Sequence, residues 1–234
     1  MQISISLFLL WVFLPTAYSQ QATGRLGHLP PREQQANSLF RELVMSHPEQ
    51  AVSKQLFGWI TNRVVALSYQ SDQLPPEMAA ELVLIGGKYV PVIAINPEFM
   101  LRLGNFNRIE DKKYKQLVLF HEFTHIANHF SGIAPMATNT FDPTTAAERA
   151  RNTWHSEWLA VKAEWELAKK MNVRHLMSTV QQEIEKYGEQ RGLLEAFYKM
   201  LTASGSGISI KGSHLLRPTW EKLYLQAKEE LRRK

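Results

Sequence analysis

His121, Glu122 and His125 fall within little more than one helical turn in the stretch LVLFHEFTHIANHF, residues 117–130. At about 100° per residue of α-helix, His121 and His125 lie about 40° apart on one face, so both imidazoles can reach one ion. Glu122 is rotated by about 100° from His121 and cannot easily share that ion, but it can face a water bound there. Two neutral nitrogen ligands and a carboxylate base over an activated water are the parts of metal-assisted hydrolysis. Zinc would take such imidazoles at about 2.0–2.1 Å. Val118, Leu119, Phe120, Phe123, Thr124, Ile126 and Ala127 are all uncharged. A helix so lined belongs in a core, where exclusion of water strengthens metal binding. The bland alternative is a core helix whose histidines are satisfied by hydrogen bonds and hold no metal. His129 continues the spacing, but it stands about 80° from His121 and a full turn past His125, so its ring would pass above the ion.

The composition narrows the ligand types. Cysteine is absent, which rules out disulfides and thiolate sites and leaves His, Asp and Glu as metal ligands. With 234 residues, 44% hydrophobic and 21% charged, the chain has the make-up of a globular domain with a full core. Its net charge of +5 is scattered, and the one dense basic run is the terminal LRRK. Nucleic-acid binding is therefore not expected. Residues 1–19 carry no charged side chain, and Ile5 to Leu14 is apolar but for Ser6. That run is shorter than the roughly 20 residues a membrane span needs. It suits a signal-peptide core, with the small residues Ala17 and Ser19 before cleavage near Ser19–Gln20, although no Lys or Arg precedes it. The expectation is a secreted or periplasmic chain, 20–234 forming a single domain, without stable membrane insertion after cleavage.

The elements that must position the histidines can be read from apolar period and turn residues. Residues 32–68 show helical spacing, broken at Ser46-His47-Pro48 into two helices. ELVLIGGKYVPVIAIN, residues 81–96, reads as a β-hairpin turning at Gly86-Gly87. Pro91 in its second arm predicts a sheet edge or a bulge there. Asn96-Pro97 caps and opens a short helix through Arg102, and Asp111 is placed to cap the histidine helix. A loop, FSGIAPMATNTFDP, residues 130–143, follows. Asp142-Pro143 and the capping box Thr145 to Glu148 then open a long helix to about Lys170. A further helix is expected over 174–203, and a last one from Pro218 after a Gly/Ser loop. The fold class is α+β, mostly helical, with a small sheet.

VLFHEFTHIA, residues 118–127, resembles the active helix of the zincin metallopeptidases, closely over those ten residues and loosely over about 80–170. The resemblance implies a zincin-like fold, with a small sheet or hairpin packed on the HExxH helix. It also implies a zinc ion and hydrolysis of a peptide or protein substrate, Glu122 acting as base. The metzincin branch would need Gly and His where this chain has Asn128 and Ser131, so it is excluded. The gluzincin branch takes its third ligand from a Glu on a later helix, here WHSEWLAVKAEWELAKK, residues 154–170. Glu157 with Ala160 fits that form, and Glu164 with Ala168 fits a looser one. Glu157 is the favoured third ligand and Glu164 the alternative; if Glu157 ligates, Glu164 would orient a histidine. Trp154, Trp158 and Trp165 on the neighbouring stripe point this side of the helix inward. By the same resemblance, substrate would add along an edge strand near Val92 to Asn96. Tyr187, Tyr198 or His214 would stabilise the oxyanion. The alternative function is a zincin-like module that holds metal without catalysis and binds a protein or cell-envelope partner.

Overall fold

The structure, a computed structural model, describes residues 29–69, 77–102, 108–136, 146–203 and 213–233. The expected leader, residues 1–19, and the expected capping residues Asp142, Pro143 and Thr145 lie outside the described residues. The chain divides into two compact units, Met1–Arg102 and Leu103–Lys234. Among the described residues the fold is mostly helical with one small three-stranded sheet. No described helix is long and apolar enough to cross a membrane.

In the first unit, α1 (Pro31–Met45) and α2 (Gln50–Thr61) are separated at Ser46–Pro48, where the sequence places the break. The expected continuation of helix to 68 is not found, and residues Ala66–Ser68 are strand β1. Arg63 adopts a left-handed conformation with φ of 58°. Its N–H bonds the Ile60 carbonyl at 3.1 Å, and the Val64 N–H reaches back to Trp59 at 2.8 Å. This pair of backward bonds closes the helix. The apolar residues 64–67 are too few for their spacing to tell strand from helix.

Strands β2 (Met78–Ile85) and β3 (Lys88–Ile95) form the expected hairpin, with Ile85 facing Lys88 across the turn. Gly86 and Gly87 have φ of 57° and 80°, the pair of positive values that a two-residue hairpin turn demands. The sheet order is β1-β3-β2, with β1 parallel to β3 in register Ala66↔Val92 to Ser68↔Ala94. Pro91 therefore sits one residue before this pairing starts. Counting from the turn, Leu82↔Pro91 is a non-hydrogen-bonded position, so the missing N–H interrupts neither ladder. Since β3 is paired on both sides over Val92–Ala94, it is not the free edge expected at Val92 to Asn96. The Asn96 side chain accepts the Glu98 N–H at 2.9 Å and caps α3 (Pro97–Leu101).

The second unit contains α4 (Arg108–Phe130), α5 (Ala146–Lys170), a 3-10 turn (Arg174–Met177), α6 (Ser178–Tyr187), α7 (Glu189–Thr202) and α8 (Ser213–Arg232). Leu117 of α4 packs with Trp154, Val161 and Trp165 of α5, Phe197 of α7 and Trp220 of α8 in one buried cluster. The Trp220 indole donates to the Ala150 carbonyl at 3.0 Å, tying α8 to α5. The single helix expected over 174–203 is instead divided at Gly188, which lets α7 fold back on α6. At the crossing, a Cβ on Gly192 would lie 2.3 Å from the Ile184 Cα, so any larger residue would push the helices apart. The last helix starts at Ser213 rather than Pro218. Leu216 and Trp220, four residues apart and fully buried, anchor it on both sides of the exposed proline. Asp111 does not cap α4. It lies in the first turn and makes a buried ion pair with Lys115 at 2.6 Å.

Candidate metal centre

Two long helices carry the polar groups of interest. α5 has Glu148 in its first turn and Lys169 and Lys170 in its last, charges that suit the helix dipole. Its end is closed by the Asn172 N–H on Lys169 at 3.1 Å and the Val173 N–H on Ala168 at 2.9 Å. Buried Ala150, Trp154, Val161, Trp165 and Ala168 mark the face that packs inward. Glu157 and Glu164 lie two turns apart along that side, and their side chains are 17% and 14% exposed. α4 buries Leu117, Val118, Leu119, Phe123 and Ile126 around the histidines, as the uncharged flanks predict.

The two helices bring His121, His125 and Glu157 together, with one ligand atom of each inside a 4.8 Å span. Glu157 Oε2 lies 3.4 Å from His121 Nε2 and 3.5 Å from His125 Nε2. Two atoms bonded to one zinc at 2.0–2.1 Å and a tetrahedral angle would be about 3.3 Å apart. The observed separations are close to that edge and long for a charge-assisted hydrogen bond. Glu157 Oε2 is buried and has no hydrogen-bond partner. A buried carboxylate oxygen without such a partner is costly, and a cation at the centre of this triangle would satisfy it. The donor set and its spacing thus fit a small divalent ion.

The outer nitrogens of the two rings are also engaged. His121 Nδ1 is 3.0 Å from Glu164 Oε2, and since an ionised carboxylate only accepts, the ring donates and Nε2 is left to face inward. Glu164 therefore lies where an orienting group would, and Glu157 where a ligand would. His125 Nδ1 is 2.7 Å from the Ser156 hydroxyl. Ser156 was not singled out from the sequence. Its one signal there is a small polar residue next to Glu157 on a helix side that otherwise turns apolar groups inward.

The charges are coupled. Burial acts to lower the pKa of His121, but the contacts with Glu157 and Glu164 and the nearby charge of Glu122 outweigh it, and the result is well above the ordinary value. Burial acts to raise the pKa of Glu157, and the facing His125 and His121 outweigh that and hold it low. Glu122, half-buried, is thus close enough to His121 for its charge to be felt.

The other sequence candidates are not among the metal-capable group. His129 Nδ1 accepts the Met136 N–H at 3.3 Å, and burial lowers its pKa, so it stays neutral as an acceptor outside the metal-capable group. Tyr187 lies against Lys186 and Arg191, and Tyr198 stacks on Tyr224 at 4.2 Å. His214 is exposed. Each has an environment that needs no substrate to explain it.

A scan against protein-family models, a search of curated proteins and a search of solved structures each return no match to this chain. The functional reading therefore rests on the chain's own residues.

Proposed function

We propose that this chain is an exported, zinc-dependent peptidase of the gluzincin kind, with a zincin-like fold. The observation that carries it is the convergence of His121 Nε2 and His125 Nε2 on Glu157 Oε2 at 3.4 and 3.5 Å, with the three ligand atoms within 4.8 Å of one another and Glu122 beside them. Zinc suits two imidazoles and a carboxylate, and three protein ligands leave one position for water. When bound, the ion supplies Lewis acidity that brings the pKa of a water toward 7. Glu122 takes one proton from the attacking water, whose oxygen forms a bond to the carbonyl carbon. Glu122 then returns the proton to the amine nitrogen as the carbon–nitrogen bond breaks. Glu164 keeps His121 turned inward throughout. Export rests on residues 1–19 alone, and the substrate is a peptide or protein.

The test is the metal content of the purified chain by elemental mass spectrometry, followed by hydrolysis of a peptide library. One zinc per chain, with hydrolysis abolished by Glu122→Ala while the metal stays, is the expected result. Zinc retained without any hydrolysis would favour the non-catalytic binding module. No metal, and none taken up from added zinc, would overturn the proposal and leave a core helix with satisfied histidines.

A further inference from the structure

Ser156 is the part of this cluster to which neither the spacing nor the zincin resemblance assigns a role. It is buried at 6% exposure in the middle of α5, one residue before Glu157. A serine inside a helix is a mediocre helix former, and its hydroxyl is costly to bury unless bonded. Here the Oγ reaches across to α4 and meets His125 Nδ1 at 2.7 Å. The same ring's Nε2 is the atom that faces Glu157 Oε2.

We propose that Ser156 is a positioning residue of the metal centre, holding the His125 ring through Nδ1 so that Nε2 points at the ion. The inference rests on the metal reading above. Its physical content is an asymmetry between the two histidines. His121 donates to a carboxylate, which enforces one tautomer and makes the ring a stronger donor to metal. His125 meets a hydroxyl, which can accept or donate and so sets the ring's direction without adding charge. With Glu122, Glu157 and Glu164 already near the rings, a further carboxylate would add like-charge repulsion to the site. A neutral outer partner avoids that.

The test compares zinc affinity, by competition with a chromophoric chelator, in the purified wild-type chain and in Ser156→Ala, Ser156→Thr and Ser156→Val. Cobalt(II) absorption spectra and metal-free melting curves accompany it. Outer-partner losses at metal sites typically cost about 10–100-fold in affinity. Ser156→Ala should bind zinc about tenfold more weakly and alter the cobalt bands, while its metal-free melting stays close to wild type. Threonine and valine have nearly the same shape, so Ser156→Thr should bind about tenfold more tightly than Ser156→Val even if the alanine variant folds poorly. Equal affinities and cobalt spectra across the series, in a chain that binds zinc, would overturn this inference alone. Equal Thr and Val affinities with a lowered metal-free melting point in both would reduce Ser156 to a packing role. A wild-type chain that binds no zinc would sink the metal reading and this inference together, and the wild-type titration identifies that case.

Discussion

Helix α4 buries charged groups at two places, and the two are built differently. Near its start, Asp111 and Lys115 meet at 2.6 Å within one helix, each with less than a tenth of its side chain exposed. Nearly three turns further on, His121 and His125 face Glu157 from α5 at 3.4 and 3.5 Å. In the first, donor and acceptor touch directly. The second sets both imidazole nitrogens 3.4–3.5 Å from one carboxylate oxygen, close to the edge that two ligands of a tetrahedral zinc would share. The lesson is that distance separates a structural ion pair from a candidate ligand set even where burial and charge are similar. The outer groups reinforce it. His121 and His125 are each held from behind, by Glu164 and Ser156, as rings aimed at a target would be.

The largest effect should come from removing the carboxylate proposed as the third ligand of the open cluster. Glu157→Ala is expected to lose zinc binding, from about one ion per chain to none retained through dialysis, because zinc sites of this kind need three protein ligands. Elemental analysis reads it directly, and a variant that keeps its zinc would transfer the ligand role to Glu164. Next, Glu122→Gln should lower kcat by about 10²–10⁴ with zinc content unchanged, the range that general-base catalysis spans. An equal loss of both would mean that Glu122 holds the ion rather than a proton. At the closed pair, Lys115→Met should cost about 3 kcal/mol of stability, because Asp111 then loses its buried counter-charge. Urea unfolding measures that loss, and the zinc affinity of the folded variant should not move.

The histidine helix was legible because its signal is local. Apolar flanks, the HExxH spacing and the 3.6-residue period all fall within 117–130, and the helix found there is the one expected. Glu157 and Glu164 were legible as a pair because seven residues place both on one side of α5. Which of them faces the nitrogens inside the cluster, and which the outer nitrogen of His121, depends on how α5 lies against α4, and no spacing within either helix contains that. Ser156 stayed hidden for the same reason, since its partner is 31 residues away in sequence. The hairpin was readable from two glycines. That β3 is paired on both sides was not, because β1 joins it across 23 intervening residues, Tyr69 to Pro91. The boundaries misread at 63, 188 and 213 have two causes. The helix reversal at Gly188 and the proline tolerated inside α8 depend on packing beyond the turn in which they occur, while the end at Arg63 is set by a left-handed residue that spacing does not reveal.

A smaller effect comes from pH, and its sign differs between the metal-bound and metal-free chain. The pKa of His121 is raised, so near neutral pH its Nε2 carries a proton that zinc must displace. Glu157, held low, stays ionised over the same range and contributes no slope. Below the raised value, zinc affinity should therefore weaken by about tenfold for each unit of acidification, and level off above it. Without metal the slope reverses. A group whose folded pKa is raised stabilises the fold below its ordinary value, and that contribution is lost as pH rises through the raised one. Glu164→Gln should move the levelling point to lower pH while weakening zinc binding about tenfold at high pH. Calorimetric titration in buffers of different ionisation enthalpy counts the proton released, and a count of zero at pH 7 would contradict the raised pKa.

The smallest effect is expected at the Asp111–Lys115 pair. Replacing both members of the closed pair, Asp111→Leu with Lys115→Met, should change stability by no more than about 1 kcal/mol. A buried ion pair gains little over well-packed apolar groups of similar volume, once the cost of taking both charges out of water is counted. The single Lys115→Met loss would then be recovered by the second substitution. The same operation on the open cluster, His125→Leu with Glu157→Leu, should behave otherwise. The metal-free fold should tolerate it at high pH, where His121 is neutral and the 3.4 and 3.5 Å contacts of Glu157 are too long for strong hydrogen bonds. Zinc binding should disappear with it. If the double change at His125 and Glu157 instead unfolded the metal-free chain while the change at Asp111 and Lys115 did not, the histidine cluster would be a structural element of the core, and the distance argument for an ion would fail.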